Sequence, residues 1–304
     1  MEWITQFDKL VEDYLPDLKM EKDVPMCQHT SFRIGGTAKR LAWPKNGEQL
    51  VLLMGFAEEC EVEPLIIGKG TNVLIADEGV NRPVIITSDM KQMEWQEDGR
   101  ITAEAGVSLA HLAEFACEHG LTGLEFAHGI PGTLGGAIRM NAGAYQGEMK
   151  DVVECVTILF SDGIRTLNGA DMEFGYRHSL LDAHSDAVVL RATLKLTAGN
   201  PEVIRKEMQT LMERRRASQP LELPSAGSTF KRPEGYYAGT LIDECGLKGF
   251  RVGNAEVSRK HAGFIVNVGG ATFADVTELI RQVQERVFAE KGVRLEPEVK
   301  IIQG

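Results

Sequence analysis

The feature that most constrains this chain is a glycine-rich segment near its centre, residues 121–145, in which regularly spaced apolar residues are few. Four glycines fall within the eight residues 129–136. A loop this long inside a compact domain has to find partners for many backbone polar groups, so such loops are usually functional. Backbone amides between glycines suit a flat or phosphorylated ligand, and we expect contact with a dinucleotide here. A flexible surface loop is the alternative, although Ile130 and Leu134 make the segment too apolar for one.

A second glycine-rich turn, Gly68-Lys69-Gly70-Thr71-Asn72, joins two short apolar runs. Glycine permits positive φ angles and leaves amide groups free to face an anion. The turn is not a P-loop, because no GxxxxGK[ST] pattern is present, and Val73 breaks a GxGxxG pattern. A plain tight turn is the simpler interpretation of this segment alone, and phosphate binding is the alternative.

The remaining sequence predicts mixed α and β structure. Apolar spacing and N-cap residues predict helices at 3–15, 46–60, 108–120, 201–216 and 274–291. Short apolar runs predict strands at 64–68, 72–76, 83–87, 152–159, 187–196 and 264–268. An apolar closing segment, 293–302, is interrupted at Pro297. The best boundary between domains is Ala198-Gly199-Asn200-Pro201.

Composition limits the class of protein. The 304 residues include 33 Lys and Arg against 44 Asp and Glu, a net charge of −11, with 43% hydrophobic and 25% charged residues. This is ordinary globular usage, which excludes a disordered or fibrous chain. The negative charge argues against binding to nucleic acids or anionic membranes, because phosphates repel a net anion. A small anionic substrate held by local Lys and Arg residues remains compatible with it.

Several other functions are disfavoured by missing signals. The 5 cysteines are widely spaced and form no CxxC pair, so we expect neither zinc nor a disulfide framework. His111, Glu114 and Glu118 share a helical stripe, but HExxH is absent and we expect no metal. The N-terminus lacks the basic and apolar regions of a signal peptide, and no apolar run reaches the length of a membrane span. We therefore expect a cytoplasmic protein without membrane insertion.

Three polar sites have both a functional and a structural interpretation. Arg177 lies among aromatic residues and can bind an anion or form a structural ion pair. Ser228 follows Gly227 in a turn beside two cations, where a plain turn serine is the simpler interpretation. Glu298 lies beside apolar residues, and a solvated glutamate is its default interpretation.

Taken together, these segments resemble the bacterial UDP-N-acetylenolpyruvoylglucosamine reductases of peptidoglycan synthesis. The resemblance runs from Thr30-Ser31-Phe32-Arg33-Ile34-Gly35-Gly36 to Glu296-Pro297-Glu298-Val299, with the other motifs between them in family order. It implies an α+β fold with an N-terminal helix and lead-in (1–25). An FAD-binding module of the vanillyl-alcohol-oxidase (PCMH) type follows at 26–199, in subdomains of about 26–90 and 91–199. An α+β substrate-binding domain (200–304) completes the chain, as in the compact subclass that lacks an extra substrate-covering loop.

The resemblance also implies residue roles, a cofactor and partners. The implied catalytic residues are Arg177, Ser228 and Glu298. Non-covalent FAD is expected at Ile34, Gly35, Gly68, Lys69, Gly70, Thr71, Asn72, Gly132, Thr133, Gly135, Gly136, Asn141 and Gly143. A UDP-sugar substrate is expected at Tyr145, Tyr176, Lys231, Arg232, Arg259 and Lys260. NADPH is the implied reductant, and we expect a monomer that binds no nucleic acid.

The implied reaction reduces an enolpyruvyl ether to a lactyl ether. Hydride added to the vinyl terminus of an unsaturated acid pushes electrons onto its carboxylate, where fixed cationic or proton-donating groups are needed. Arg177 is expected to hold the carboxylate, Glu298 to donate a hydrogen bond to it when protonated, and Ser228 to protonate the carbon that bears the ether oxygen. Lys231 or a chain of water molecules is expected to support Ser228, whose hydroxyl is a weak acid in water.

Two departures and two alternative functions accompany this resemblance. His29 stands where the family often has Asn, and Gln146 stands where a glycine commonly follows Tyr145, so individual flavin contacts are in question. One alternative is an oxidase of the same fold that acts on an alcohol or sugar and often links its flavin covalently. The other is a nucleotide-sugar-binding regulatory module without activity. Two flavin bands bleached by NADPH would favour the reductase.

Overall fold

A computed structural model describes residues 2–303 of this chain. The helices are α1 Glu2–Tyr14, α2 Gly47–Glu59, α3 Leu109–Glu118, α4 Leu134–Arg139, α5 Pro201–Ser218, α6 Ala238–Glu244 and α7 Phe273–Lys291. The first strands are β1 Lys19–Pro25, β2 Thr37–Trp43, β3 Leu65–Ile67, β4 Val73–Ile75, β5 Val80–Ile86, β6 Met93–Trp95, β7 Arg100–Glu104, β8 Leu121–Thr122 and β9 Gly143–Ala144. The later strands are β10 Gly147–Glu148, β11 Val153–Phe160, β12 Gly163–Asn168, β13 Val188–Lys195, β14 Thr197–Ala198, β15 Arg251–Val252, β16 Ala255–Val257, β17 Ile265–Asn267 and β18 Lys300–Ile302.

Capping residues fix where the predicted helices begin. The side chain of Asn46 accepts a hydrogen bond from the amide of Gln49 at 3.0 Å, and α2 starts at the next residue, as predicted. Ser108 caps α3 in the same way. Between residues 2 and 303, none of the helices combines the length and apolar composition that crossing a bilayer needs.

Several elements, among them helix α6 and strands β1, β2, β7 and β12, lie outside the elements predicted from the sequence, and two further segments differ from the expectation. The stretch 121–145 is not a continuous loop, because it contains the short helix α4. The amide of Gly135 donates to the carbonyl of Ala105 at 2.9 Å, a tertiary contact that apolar periodicity does not reveal. The closing segment 293–302 is a strand only in β18, which pairs in parallel with β4.

The residues divide into two compact units. The first contains residues 2–22, 40–69 and 82–214, and the second contains 23–39, 70–81 and 215–303. The second unit therefore includes two segments from the N-terminal part of the chain. A single boundary along the sequence cannot divide the chain into these two units. The expected division into a cofactor-binding domain that ends at 199 and a substrate-binding domain that begins at 200 is defined by ligand binding, and it stays a prediction.

The first unit contains a five-stranded antiparallel sheet in the order β12-β11-β13-β7-β6. The residues of α3 and α4 that pack into its core include Leu112, Ala116, Leu134 and Ile138, each at most 1% exposed. A second core in this unit joins α1 to α2 through residues such as Phe7 and Leu53. The first of these cores includes Phe126 of the glycine-rich segment, and Phe174 and Leu180 on either side of the Arg177 turn pack against it.

The second unit contains the three-stranded sheet β15-β16-β17 and the parallel pair β18-β4. Helices α6 and α7 pack into one core with apolar residues from distant parts of the chain, including Phe32, Leu74, Ile242 and Val283. A capping box between Thr272 and Asp275 starts α7.

Helix α1 is attached to β2 by a buried ion pair. The Arg40 guanidinium donates two hydrogen bonds to the Asp8 carboxylate, at 2.5 and 2.7 Å, and Arg40 is 8% exposed. Lys22 lies 3.0 Å from the same carboxylate. Burial raises the pKa of Asp8, but the hydrogen bonds from Arg40 and Lys22 outweigh it, so the pKa lies below its ordinary value.

We expect Asp8→Asn to lower the free energy of unfolding by about 3 kcal/mol at pH 7, because it leaves the Arg40 charge buried without its carboxylate. The pKa of Asp8 is lower in the folded state than in the unfolded state. Its stabilisation is therefore present above the unfolded pKa and lost as pH falls through the folded pKa. Denaturant titrations should show a smaller difference in the free energy of unfolding between the wild type and Asp8→Asn at pH 3 than at pH 7. The exposed Asp13→Asn on the same helix is the control, and equal losses in both variants would contradict the expectation.

Candidate cofactor and substrate site

Gly68, the first residue of the second glycine-rich turn, meets the central glycine-rich segment within the first unit. A Cβ atom on Gly68 would lie 2.1 Å from Oγ1 of Thr133, so no other residue fits at that position without movement. Thr133 is 2% exposed and pairs with Ser108, and the amide of Leu109 donates to the carbonyl of Gly132 at 3.2 Å. Gly68, Gly132 and Thr133, predicted separately as cofactor-binding residues, therefore lie together at the start of α3.

Gly135 and Gly136 have different surroundings. A Cβ atom on Gly135 would lie 3.0 Å from Cβ of Ala105, so this glycine serves the packing of α4. A Cβ atom on Gly136 would have only Oγ1 of Thr133 nearby, at 3.7 Å, and Gly136 is exposed. Its backbone is open to a flat ligand, which fits the expected cofactor.

Further predicted cofactor residues lie in the second unit. Ile34 is 2% exposed and its side chain belongs to the core, so only its backbone can face a ligand. Gly35 and Gly70 adopt positive φ angles of 135° and 61°. A Cβ atom on Gly70 would lie 2.2 Å from the carbonyl oxygen of His29, which brings the His29 backbone against this turn.

Asn141 and Gly143 are engaged with the protein itself. The side chain of Asn141 is 1% exposed and binds Glu148, Gly175 and the amide of Lys150. Gly143 lies in the β9–β10 hairpin, where a Cβ atom would be 2.7 Å from the carbonyl oxygen of Gly147. Any contact of these two residues with a cofactor must therefore come from the backbone.

Arg177 lies at the tip of a tight turn in the first unit. Gly175 and His178 exchange backbone hydrogen bonds of 3.1 and 3.3 Å, leaving Tyr176 and Arg177 between them. The Arg177 guanidinium lies 5.2 Å from the ring centroid of Tyr176, which is 50% exposed. The aromatic setting predicted from the sequence is therefore present, and the turn presents a cation beside an exposed ring.

Tyr145 has a partner that the sequence did not indicate. The guanidinium of Arg214 lies 5.0 Å from its ring centroid. Nothing in the helical pattern of the sequence distinguishes Arg214 from its neighbours Arg215 and Arg216, which are typical of a solvated helix end. The contact makes Arg214 a further residue of the candidate site.

Ser228 and Glu298 are brought together in the second unit. The amide of Glu298 donates to the carbonyl of Thr229 at 2.8 Å, and the amide of Thr229 donates to the carbonyl of Gly263 at 2.8 Å. Ser228 and Glu298 are both partly exposed. Two residues seventy positions apart in sequence thus lie on paired backbone segments, with side chains that solvent or a ligand can reach.

Two neighbouring motifs brace these segments. Ser31 donates to the carbonyl of Ser225 at 2.7 Å, which ties the N-terminal motif to the turn before Ser228. The side-chain amide of Asn72 donates to the carbonyl of Glu298 at 3.3 Å. The family motifs in this unit therefore support one another through main-chain contacts.

Each predicted substrate cation has a partner in the second unit. Lys231 lies 3.5 Å from Glu296, Arg232 stacks 4.7 Å from the ring centroid of Tyr237, Arg259 donates to Glu256 at 3.2 Å, and Lys260 donates to the carbonyl of Arg216 at 2.6 Å. Glu256 is 4% exposed and also binds Arg251. Sequence reasoning missed this buried carboxylate, because nothing in its local pattern marks it as buried.

Comparison with known families identifies both parts of the chain. Residues 38–168 match the FAD binding domain family, and residues 219–302 match the family described as UDP-N-acetylenolpyruvoylglucosamine reductase, C-terminal domain. The UDP-N-acetylenolpyruvoylglucosamine reductase of Caldanaerobacter subterraneus is 49% identical over 296 residues, 97% of each chain. The enzyme of the same name from Pediococcus pentosaceus is 45% identical over 97% of this chain and 98% of its own.

A solved structure shows the same fold. The crystal structure of UDP-N-acetylenolpyruvylglucosamine reductase from Thermus caldophilus matches with a TM-score of 0.80 and 37% identity. The match covers 94% of this chain and 99% of that one. The expected α+β architecture with an FAD-binding module is therefore confirmed.

We expect Gly136→Val to lose most of its bound flavin while the thermal stability of the flavin-free protein stays within about 1 kcal/mol, because no protein atom occupies the space of the new side chain. Absorbance at 450 nm relative to 280 nm after purification measures occupancy. Gly55→Val, at an exposed helical position with nothing within 4 Å, is the matched control. Full flavin occupancy in Gly136→Val would place the cofactor elsewhere.

Proposed function

The chain belongs to the UDP-N-acetylenolpyruvoylglucosamine reductase family, and we propose that Arg177, Ser228 and Glu298 carry out its reaction with NADPH as reductant. The protein is an FAD-dependent oxidoreductase of peptidoglycan precursor synthesis. It reduces the enolpyruvyl ether of a UDP-sugar to the lactyl ether of UDP-N-acetylmuramate. The observation that carries the function is the near full-length similarity to reductases of this name, over 97% of the chain.

FAD, when bound, supplies a two-electron carrier between the nicotinamide and the substrate. We propose that the backbones at Gly68, residues 132–136 and Gly70 hold it. Two observations support this placement. The backbone of Gly136 is open, and Gly68 lies so close to Thr133 that only a glycine fits there. The polar atoms of the Asn141 side chain bind protein groups, so we propose that Asn141 contacts the cofactor through its backbone.

We propose that Arg177 holds the substrate carboxylate. Hydride addition at the vinyl terminus develops charge on this carboxylate, and a planar guanidinium can meet it with two parallel hydrogen bonds. Tyr176 lies against the guanidinium and limits where it can point. We propose that Glu298 donates a hydrogen bond to the same oxygens in its protonated form. Protonation is favoured there because an ionised Glu298 would repel the substrate carboxylate.

Ser228 supplies the proton to the carbon that bears the ether oxygen, which completes the lactyl group. Among residues 2–303 we find no hydrogen bond from the Ser228 hydroxyl to another protein group, so it is not committed to holding its turn. Lys231 forms an ion pair with Glu296 at 3.5 Å, so support of Ser228 by a chain of water molecules is the simpler form of the mechanism.

The diphosphate of the substrate is assigned to Lys231, Arg232, Arg259 and Lys260, and the sugar region to Tyr145 and Tyr176. The four cations support this role because they lie in two consecutive pairs, each restrained by a partner. Restrained cations lose less side-chain entropy on binding an anion than mobile ones do. The expected cytoplasmic location and monomeric state remain predictions.

Arg177→Lys should slow the oxidation of reduced flavin by substrate by about 10- to 100-fold, because an ammonium keeps the charge but lacks the planar fork. Stopped-flow absorbance at 450 nm after NADPH reduction measures this step. Arg165→Lys is the matched control, since Arg165 also stacks on an aromatic ring, 4.0 Å from the centroid of Phe160, but has no proposed role. A rate within twofold of the wild type would remove Arg177 from the mechanism.

Ser228→Ala should reduce its flavin with NADPH at close to the normal rate and then reoxidise about 10²- to 10⁴-fold more slowly with substrate, because only the second step needs the proton. Ser228→Cys retains a donor and should recover part of the loss. The exposed Ser161→Ala should leave both steps unchanged. Equal slowing of the two steps, or normal reoxidation, would mean that Ser228 serves the turn alone.

A further inference from the structure

The turn that carries Arg177 has an unfavourable backbone conformation. Arg177 has a φ of 54°, in the left-handed region that residues with a Cβ atom seldom adopt. Such a residue persists only where its surroundings hold the backbone in place. The exchange of hydrogen bonds between Gly175 and His178 closes the turn but does not attach it to the rest of the unit. Two neighbouring residues, Asn141 and Ser179, contribute to its attachment.

Asn141 attaches the first side of the turn. Its side-chain nitrogen donates to the carbonyl of Gly175 at 3.0 Å and to the carboxylate of Glu148 at 2.7 Å. Its side-chain oxygen accepts from the amide of Lys150 at 2.9 Å. The contacts with Glu148 and Lys150 fix the orientation of the amide group. The second donor hydrogen is then directed at Gly175, two residues before Arg177.

Ser179 attaches the other side. It is 0% exposed, and its hydroxyl donates to the carbonyl of Arg139 at 2.8 Å. Arg139 in turn donates to the carbonyl of Leu181 at 3.0 Å. Both anchors lie at the end of α4, since Arg139 is its last residue and Asn141 follows two residues later. The Arg177 turn is thus held from both sides by one short stretch of chain.

We propose that Asn141 is a positioning residue for Arg177, and that its amide holds the guanidinium where it can bind the substrate carboxylate with two parallel hydrogen bonds. The inference rests on the carboxylate-binding role proposed for Arg177. Bidentate recognition tolerates misplacement of only about 0.5 Å. Without the bond to Gly175, the left-handed residue relaxes and the guanidinium leaves that position. Asn141, expected from sequence to contact the cofactor, therefore serves the substrate step.

The first test separates the two steps of the reaction in Asn141→Ala. Reoxidation of reduced flavin by substrate should slow about 10- to 100-fold, while reduction by NADPH and flavin occupancy should stay within about twofold. Asn46→Ala is the matched control. Asn46 lies in the same unit and caps α2, and its cap contact does not involve the Arg177 turn. Equal slowing of both steps in Asn141→Ala would overturn the proposal.

Hydrogen exchange provides a readout independent of activity. The amides of Gly175 and His178 should exchange faster in Asn141→Ala than in the wild type, and the control should leave them unchanged. Ser179→Ala, which removes the second attachment, is the variant to use if Asn141→Ala does not fold. It should show the same selective slowing of reoxidation. Unchanged protection of both amides would overturn the proposal.

A double-mutant cycle with Arg177→Lys distinguishes this inference from the proposed function. If Asn141 acts through Arg177, adding Asn141→Ala to Arg177→Lys should slow reoxidation less than twofold further. Full additivity of the two losses would overturn the positioning role while leaving the role of Arg177 intact. A normal rate in Arg177→Lys alone would instead overturn the proposed role of Arg177, and the positioning role of Asn141 with it.

Discussion

Close approach of backbone to side chain at Gly68 is the constraint on which the candidate cofactor region depends. A Cβ atom at this position would overlap Thr133, so the end of β3 can reach the glycine-rich segment only through a glycine. Thr133 is fixed in turn by its pairing with Ser108, the N-cap of α3. A helix start, a strand end and the glycine-rich segment therefore share one point of contact. Glycine also serves packing here, as the approach of Gly135 to Ala105 shows.

Local signals in the sequence predicted some parts of this fold well. Side-chain caps marked the starts of α2 and α3, and motif order identified the family correctly. Helix α4 was missed, because six residues with two glycines have low helix propensity and are stabilised by contacts with Ala105. The membership of residues 23–39 and 70–81 in the second unit also depends on long-range packing. The contacts of Asn141 could not be predicted for the same reason.

Cationic side chains in this molecule are arranged in local groups, although the net charge of the chain is negative. The chain carries a net charge of −11, yet four cations, Lys231, Arg232, Arg259 and Lys260, lie in two consecutive pairs in the second unit. Each is restrained by a carboxylate, a carbonyl or an aromatic ring, and the buried Glu256 holds two arginines at once. Such pairing lowers the repulsion among neighbouring cations, so a positive site can exist on an acidic protein without destabilising it.

The pairing of β18 with β4 has a consequence for biosynthesis. Asn72 and Glu298, which join the two segments, are 226 positions apart. At a synthesis rate of about 5–20 residues per second, the early segments wait roughly 10–45 s for their partners. During that interval the apolar side chains of Phe32, Ile34 and Leu74 have no completed core to enter. The early apolar segments therefore stay exposed during synthesis until the residues of β18 are available to complete this core.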